Sequence, residues 1–430
     1  MEMTAKHRQW QLTVLMTTYV AYVGYYLTRK VFGIVKTSVA PALGVSLQEV
    51  AHLWTAFLVA YMVGQFVNGF VGRRIGPKLL ILLGLGISIL CSVVFGISNS
   101  YWMFMLFMIL NGLVQASGWP GVVGGVAHWL APKERGTIMG LWSSSYLVGN
   151  MAVKLLGAYI LAHGGEQMGW RYTYFGMAAL TMVIWLVIFW LQRDKPEDVG
   201  LAPIITEAEE RSEAVVKEAR EEHISMGDYL RLIFSPPIML MGACYFCVKF
   251  LRYALDSWLP TFLDLQGMGK AAASSYSSIF DFAGIAGALV AGLLLDRVFK
   301  KQWVPVCLLM GVGCVLSYWM VLQFGTSPMA VAWLFGAVGF MLYGPDTIIC
   351  GAAAVTVAGE RNALAAAGII NGLGSIGPIV QEEVIGALVD ESNPVNSLRN
   401  TNYLFLGIAG LFVALLAVQY VAIYRRREAN

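Results

Sequence analysis

Apolar runs long enough to cross about 30 Å of hydrocarbon recur along nearly all of this 430-residue chain. Residues 10–35, 49–71, 79–98, 101–130, 136–162 and 171–192 form one series. Residues 237–262, 273–298, 303–324, 329–356, 362–390 and 402–424 form a second. In lipid a backbone must satisfy its own hydrogen bonds, so runs of this length predict helices. Composition supports the reading: 58% of residues are hydrophobic and only 13% are charged, whereas a soluble surface needs roughly 25% charge. Glycine is frequent at 46 residues and proline sparse at 14, as suits helices that pack closely where no hydrophobic drive holds them together. The expected fold is an all-α membrane protein of about twelve transmembrane helices in two six-helix halves.

Charge placement orients these helices. Basic clusters fall at Lys6/Arg8, Arg73/Arg74/Lys78, Lys133/Arg135, Arg193/Lys195, Arg297/Lys300/Lys301, Arg361 and Arg425–Arg427. Each lies at a terminus or after an even-numbered span, so both termini are expected in the cytoplasm. The intervening loops at 44–48, 99–100 and 164–167 contain no Lys or Arg. No small-residue cleavage site closes the first run, which is expected to persist as a helix and not as a removed signal. Between the two series lies a segment rich in both charges, including Glu207, Glu209, Glu210, Arg211, Glu213, Lys217 and Glu218. That density cannot bury apolar area. We expect an N-terminal six-helix bundle over 1–192, a cytoplasmic linker over 193–236, and a C-terminal six-helix bundle over 237–430.

Several function classes are excluded at this level. A net charge of +3, distributed by topology, is no signal for nucleic acid. The six cysteines all lie in apolar stretches, and Cys244-x-x-Cys247 has no second pair, so small buried thiols are expected in place of a disulfide framework or metal site. His7, His52, His128, His163 and His223 lack metal-ligand spacing. No hydrolase, redox or phosphate-loop pattern occurs, so neither an enzyme nor a cofactor is expected.

An internal repeat supports the division into halves. Gly69-x-x-x-Arg73-Arg74 follows the second span and Gly292-x-x-x-Asp296-Arg297 follows the eighth. Arg29 in the first span and Arg252 in the seventh share the same offset of 223 residues (69 to 292, 29 to 252). Halves related in this way place matching positions about a substrate site near the midplane.

The two arginines carry the most chemistry. An arginine at the centre of a membrane helix costs about 2.5–3.5 kcal/mol on the insertion scale. Two at equivalent positions imply a use, and a planar fork of donors fits phosphate or carboxylate. Lys30 and Lys249 add charge nearby, Lys30 about 100° around the helix from Arg29. The acids within these two spans are Asp256 and, near the outer end, Asp264. The expected site is therefore net positive and takes an anion. Tyr22, Tyr26 and Arg29 fall at i, i+4 and i+7, on one helix face. Tyr61, Tyr146 and Tyr343 are candidate hydroxyl donors. Gln65, Asn68, Asn111, Gln115, Asn150, Lys154, Asp281, Asp346, Asn371, Gln381, Glu382 and Glu383 are polar residues in apolar runs that require partners. Asp281, Asp346 and Glu382 are either proton-coupling sites or internally paired residues. In Asn111-Gly112-Leu113-Val114-Gln115-Ala116-Ser117-Gly118-Trp119-Pro120, the proline is expected to bend the fourth span and Gly118 to permit close packing.

These residues resemble the organophosphate:phosphate antiporters of the major facilitator superfamily over nearly the whole chain. The resemblance rests on Tyr25-Tyr26-Leu27-Thr28-Arg29-Lys30, on Asn111 to Pro120, and on Lys133-Glu134-Arg135-Gly136. It extends through Gly169-Trp170-Arg171, Leu251-Arg252-Tyr253, Trp258-Leu259-Pro260 and Tyr343-Gly344-Pro345. It implies a major facilitator fold, alternating access, and exchange of a sugar phosphate or glycerol phosphate for inorganic phosphate. It also implies a multi-pass monomer in the inner cell membrane, in contact with the lipid bilayer and with no nucleic-acid partner. The implied substrate-binding residues are Arg29, Arg252, Tyr22, Tyr26, Lys249, Tyr61, Gln65, Tyr146, Tyr343 and Lys30. Bacterial members carry lysine where this chain has Gln65, histidine where it has Tyr146, and aspartate where it has Ser257. The family also includes a membrane-bound sugar-phosphate sensor, and a proton-coupled carrier of another organic anion is the remaining alternative.

The orientation is directly testable. A cysteine introduced near Glu213 should resist impermeant thiol reagents added to intact cells; labelling from outside would overturn the topology.

Overall fold

The computed structural model describes residues 4–130, 142, 144–165, 167–204, 231, 234–300, 302–349 and 354–428, without the side chains of 66, 69, 70, 73, 127, 354–368 and 423–428. Several sequence features lie outside the described residues: Lys133 to Gly136, most of the expected linker, and Cys350, with the side chains of Arg73, Arg361 and Arg425–Arg427. The chain divides into two compact units, Met1–Val215 and Val216–Asn430.

In the first unit, α1 (Ala5–Leu43) is opened by the Thr4 side chain, which accepts from His7 N, and closed by Gly44 in the left-handed region at φ 66°. A Ser46/Glu49 capping box opens α2 (Leu47–Ile75). Pro77 occupies the first turn of α3 (Pro77–Ile97), where its missing N–H is harmless. The fourth expected span is two helices, α4 (Tyr101–Gln115) and α5 (Gly118–Ala127). Pro120 cannot donate to the Ala116 carbonyl, and the chain turns at Ala116 and Ser117, with Ser117 N bonding to Val114 O at 3.1 Å. The break thus lies one turn ahead of the proline that causes it. Helices α6 (Ser144–His163) and α7 (Gly169–Leu191) complete the unit. Helix α1 packs on α6 and α7, α2 on α4, and α3 on α7.

The second unit contains α8 (Pro236–Leu263), α9 (Lys270–Leu293), α10 (Trp303–Phe324), α11 (Pro328–Ile348), α12 (Ala354–Leu388) and α13 (Pro394–Glu428). Helices α8 and α9 each run on into a π turn, Asp264–Met268 and Leu294–Val298. Helix α8 packs on α12 and α13, and α9 on α11. The α9–α11 contact is backbone-close: a Cβ on Gly287 would collide with the Phe340 carbonyl, and one on Gly284 with the Tyr343 ring. Small residues set this spacing.

Among the described residues, each unit therefore holds six helical stretches of membrane length, α4 and α5 together making one. Nine of the twelve are long and apolar enough to cross a membrane by length and composition. Helix α1 is not in that group, because its middle carries Thr17, Thr18, Tyr22, Tyr25, Thr28 and Arg29. Outward-facing Leu83, Leu90, Val183, Leu289, Leu316 and Trp333 form an apolar surface suited to lipid and not to water. Cys91, Cys244, Cys247, Cys307 and Cys314 are buried free thiols.

Candidate functional site

The first unit builds its site around Arg29, which is 9% exposed in the middle of α1. Its Nε donates to Gln115 Oε1 at 3.0 Å, and its Nη2 reaches the Gln115 carbonyl at 3.4 Å. The α4 break makes the second contact available, because a helix continuing through Ala116 would commit that carbonyl to its own ladder. Gln115 is in turn fixed by Nε2, which donates to Thr28 Oγ1 at 2.8 Å. The guanidinium carbon lies 5.0 Å from the Tyr26 ring and 4.7 Å from the Tyr61 ring. Contacts of this kind with a desolvated cation contribute about 1–2 kcal/mol each.

Close helix approach brings Tyr61 there. Gly112 of α4 abuts the backbone of α2 at Phe57 and Tyr61, where a Cβ would clash. Asn68 reinforces the seam, with Nδ2 donating to Gly64 O and Leu113 O, both at 2.7 Å. On the other side of the break, Tyr25 Oη pairs with Ser117 Oγ at 2.7 Å. Its ring lies against Gly118, where a Cβ would sit 3.2 Å away.

The remaining sequence candidates of this unit extend away from Arg29. The Tyr22 ring lies 5.6 Å from that of Tyr26 in a tilted arrangement, and Tyr146 lies 6.2 Å from Tyr26. Beyond them, Tyr22 meets Trp119 at 5.7 Å and Trp142 at 5.3 Å. Lys30 is half-buried at the next position around α1. Gln65 is exposed, one turn from Tyr61, and makes no hydrogen bond among the described residues.

The second unit holds Arg252 differently. Its Nη1 is 2.6 Å from Asp346 Oδ2 in a buried ion pair. Its carbon lies 4.6 Å from the Tyr343 ring and 5.4 Å from the Tyr253 ring. Tyr343 Oη donates to Asp281 Oδ1 at 3.0 Å. Lys249 is directed to α12, donating to Asn371 Oδ1 at 2.7 Å and Ser375 Oγ at 3.0 Å, with the Tyr245 ring 4.8 Å away. Glu382 Oε2 accepts from Ser257 Oγ, Trp258 Nε1 and Gln381 Nε2 at 2.9–3.1 Å. Around Arg252 the expected net-positive site meets a counter-charge, Asp346. Three buried acids in this unit, Asp281, Asp346 and Glu382, come from spans other than the one that carries the arginine.

Sequence reasoning passed over Trp142, Ser375 and the fully buried Lys36, whose ammonium is 6.0 Å from the Phe32 ring. Lys36 lies seven residues after Arg29, and its spacing was the available signal. It falls just past the expected end of the first span. Among the described residues no cluster of His, Cys, Asp and Glu is arranged to hold a metal.

Helix bundles with buried cations and lipid-suited surfaces define a polytopic membrane transporter. The chain belongs to the Major Facilitator Superfamily, whose profile matches residues 18–381. It is 27% identical over 432 residues to a probable hexose phosphate transport protein of Chlamydia pneumoniae, covering 97% of this chain and 90% of that one. It is 29% identical over 377 residues to the membrane sensor protein UhpC of Salmonella typhimurium, covering 86% and 83%. In fold it is similar to a bacterial homologue of the human lysosomal transporter Spinster, with a TM-score of 0.75 at 16% identity over 97% of both chains.

Gln115→Leu removes the acceptor of Arg29 Nε and should cost about 1.5–3 kcal/mol, the range for hydrogen bonds to charged groups. Thermal unfolding in detergent should show a melting point several degrees below the parent; an unchanged melting point would mean that Gln115 does not hold the guanidinium.

Proposed function

We propose that this protein exchanges a phosphorylated metabolite, a sugar phosphate or glycerol phosphate, for inorganic phosphate by alternating access. The observation that carries the reading is Arg29: a buried arginine in mid-helix whose Nε and Nη2 engage Gln115 and whose guanidinium lies against the rings of Tyr26 and Tyr61. A fork of this kind matches a phosphoryl group in two contacts. Arg252, at the repeat-related position of the second unit, is a second guanidinium able to engage an anion. Tyr22, Tyr26, Tyr61, Tyr146 and Tyr343 offer rings and hydroxyls to the rest of the substrate, with Lys249, Lys30 and Gln65 completing the set. The name of the Chlamydia relative, a hexose phosphate transport protein, supports the same substrate class.

The protein acts in this reading as a monomer in the inner cell membrane. Both termini and the 193–236 linker are cytoplasmic, joining bundles 1–192 and 237–430. A second reading, recognition of a sugar phosphate without net transport, is favoured by the similarity to the sensor protein of Salmonella. The same binding residues would serve it.

Proteoliposomes loaded with phosphate decide between these readings. External hexose phosphate or glycerol phosphate should release labelled internal phosphate, while matched carboxylates should not. Arg29→Lys and Arg252→Lys should each reduce that exchange by at least about tenfold with insertion intact, because lysine keeps charge and loses the fork. Binding without exchange would favour sensing, and near-parental exchange by both variants would refute the phosphate role of the arginines.

A further inference from the structure

Asp346 is the feature that the exchange reading does not absorb. It lies in α11, 5% exposed, directly after Tyr343-Gly344-Pro345 within the helix. One carboxylate oxygen, Oδ2, holds Arg252 Nη1 at 2.6 Å. The other, Oδ1, is buried and has no hydrogen-bond partner among the described residues. A buried carboxylate oxygen without a donor is costly, because desolvation is not offset. A proton on Oδ1 would lower that cost, because a neutral acid loses less on desolvation than a carboxylate, and would turn the atom into a donor.

The surroundings restrict what else can relieve it. From α8, Arg252 faces Asp346, with Tyr253 beyond the guanidinium; Lys249 is committed to Asn371 and Ser375. From α9, Asp281 lies behind Tyr343 and already accepts from its hydroxyl. Helix α10 contains no charged residue, and its titratable groups are Cys307, Cys314 and Tyr318. The π turn that also packs on α11 carries Asp264. Among the described residues Arg252 is therefore the cation in contact with Asp346, and an arriving anion competes for it.

Two negative groups on one guanidinium repel strongly in a poorly polarisable interior. The conflict ends if the carboxylate becomes a carboxylic acid. We propose that Asp346 is a proton-linked gate on Arg252: anion binding at Arg252 draws one proton from water onto Asp346, and anion release returns it. The step makes and breaks only the O–H bond of the acid, with the proton exchanged with solvent. This proposal rests on the reading of Arg252 as a phosphate-binding residue. It names the group that makes substrate affinity depend on pH. An aspartate that merely orients Arg252 would keep its charge and take up no proton.

The sign follows from linkage. Binding that consumes a proton weakens as pH rises, by up to about tenfold per unit. The ligand's own second ionisation, near pH 6, contributes little above about pH 7.5. Hexose 6-phosphate and inorganic phosphate should therefore bind the purified full-length protein more weakly as pH is raised from about 7.5 to 9. Asp346→Asn should bind them more tightly than the parent at the upper end and with little pH dependence. Calorimetry in two buffers of different ionisation heat should count about one more proton taken up per ligand by the parent than by the variant. Equal proton counts and parallel pH profiles would overturn the gate while leaving phosphate binding intact. If the parent binds neither ligand, the phosphate reading of Arg252 itself fails, and the gate with it. If Asp346→Asn does not fold, infrared difference spectra of the parent decide the matter. Ligand addition should produce the carbonyl band of a protonated carboxylic acid, which Asp346→Glu should shift; no such band would overturn the proposal.

Discussion

A guanidinium in the middle of a membrane helix must be satisfied by the helices around it, because lipid offers no hydrogen bonds. Much of the first unit can be traced from that requirement at Arg29. Pro120 interrupts the fourth span, and the interruption exposes the Gln115 carbonyl to Arg29 Nη2. Gly118 lets the Tyr25 ring lie against the break, where Ser117 anchors its hydroxyl. Gly64 and Gly112 let α2 and α4 touch, and that contact places Tyr61 over the guanidinium. A string that looks like a packing motif is thus also the support of the cation.

The repeat-related arginines rest in different electrostatic environments. The contacts described for Arg29 include an amide, a carbonyl and two rings. Arg252 is already neutralised by Asp346. Breaking a buried pair by removing one partner typically costs 3–5 kcal/mol, so Arg252 gives up its aspartate only in return for another anion or once that aspartate is protonated. On this account Arg29 supplies standing affinity and Arg252 supplies conditional affinity.

Length and apolarity made the helices readable from sequence, and the 223-residue offset marked Arg29 and Arg252 as related. The i, i+4, i+7 spacing of Tyr22, Tyr26 and Arg29 correctly put them on one face, as the ring distances show. What sequence could not supply were partners distant in the chain. Gln115 lies 86 residues from Arg29, and Asp346 lies 94 from Arg252. Each was visible as a polar residue in need of a partner, but no periodicity within one helix pairs it with another helix. Gln65 illustrates a different limit: resemblance alone named it, and its exposed side chain forms no hydrogen bond among the described residues that would tie it to a partner.

The central claim is that the Arg29 guanidinium is a phosphoryl receptor. Its most direct test is an experimental density map of the protein with a hexose 6-phosphate bound. The account predicts phosphoryl oxygens about 3 Å from Arg29 nitrogens, in fork geometry, with Gln115 still holding Nε. A phosphoryl group bound elsewhere, with Arg29 engaged only by Gln115 and the two tyrosine rings, would contradict it.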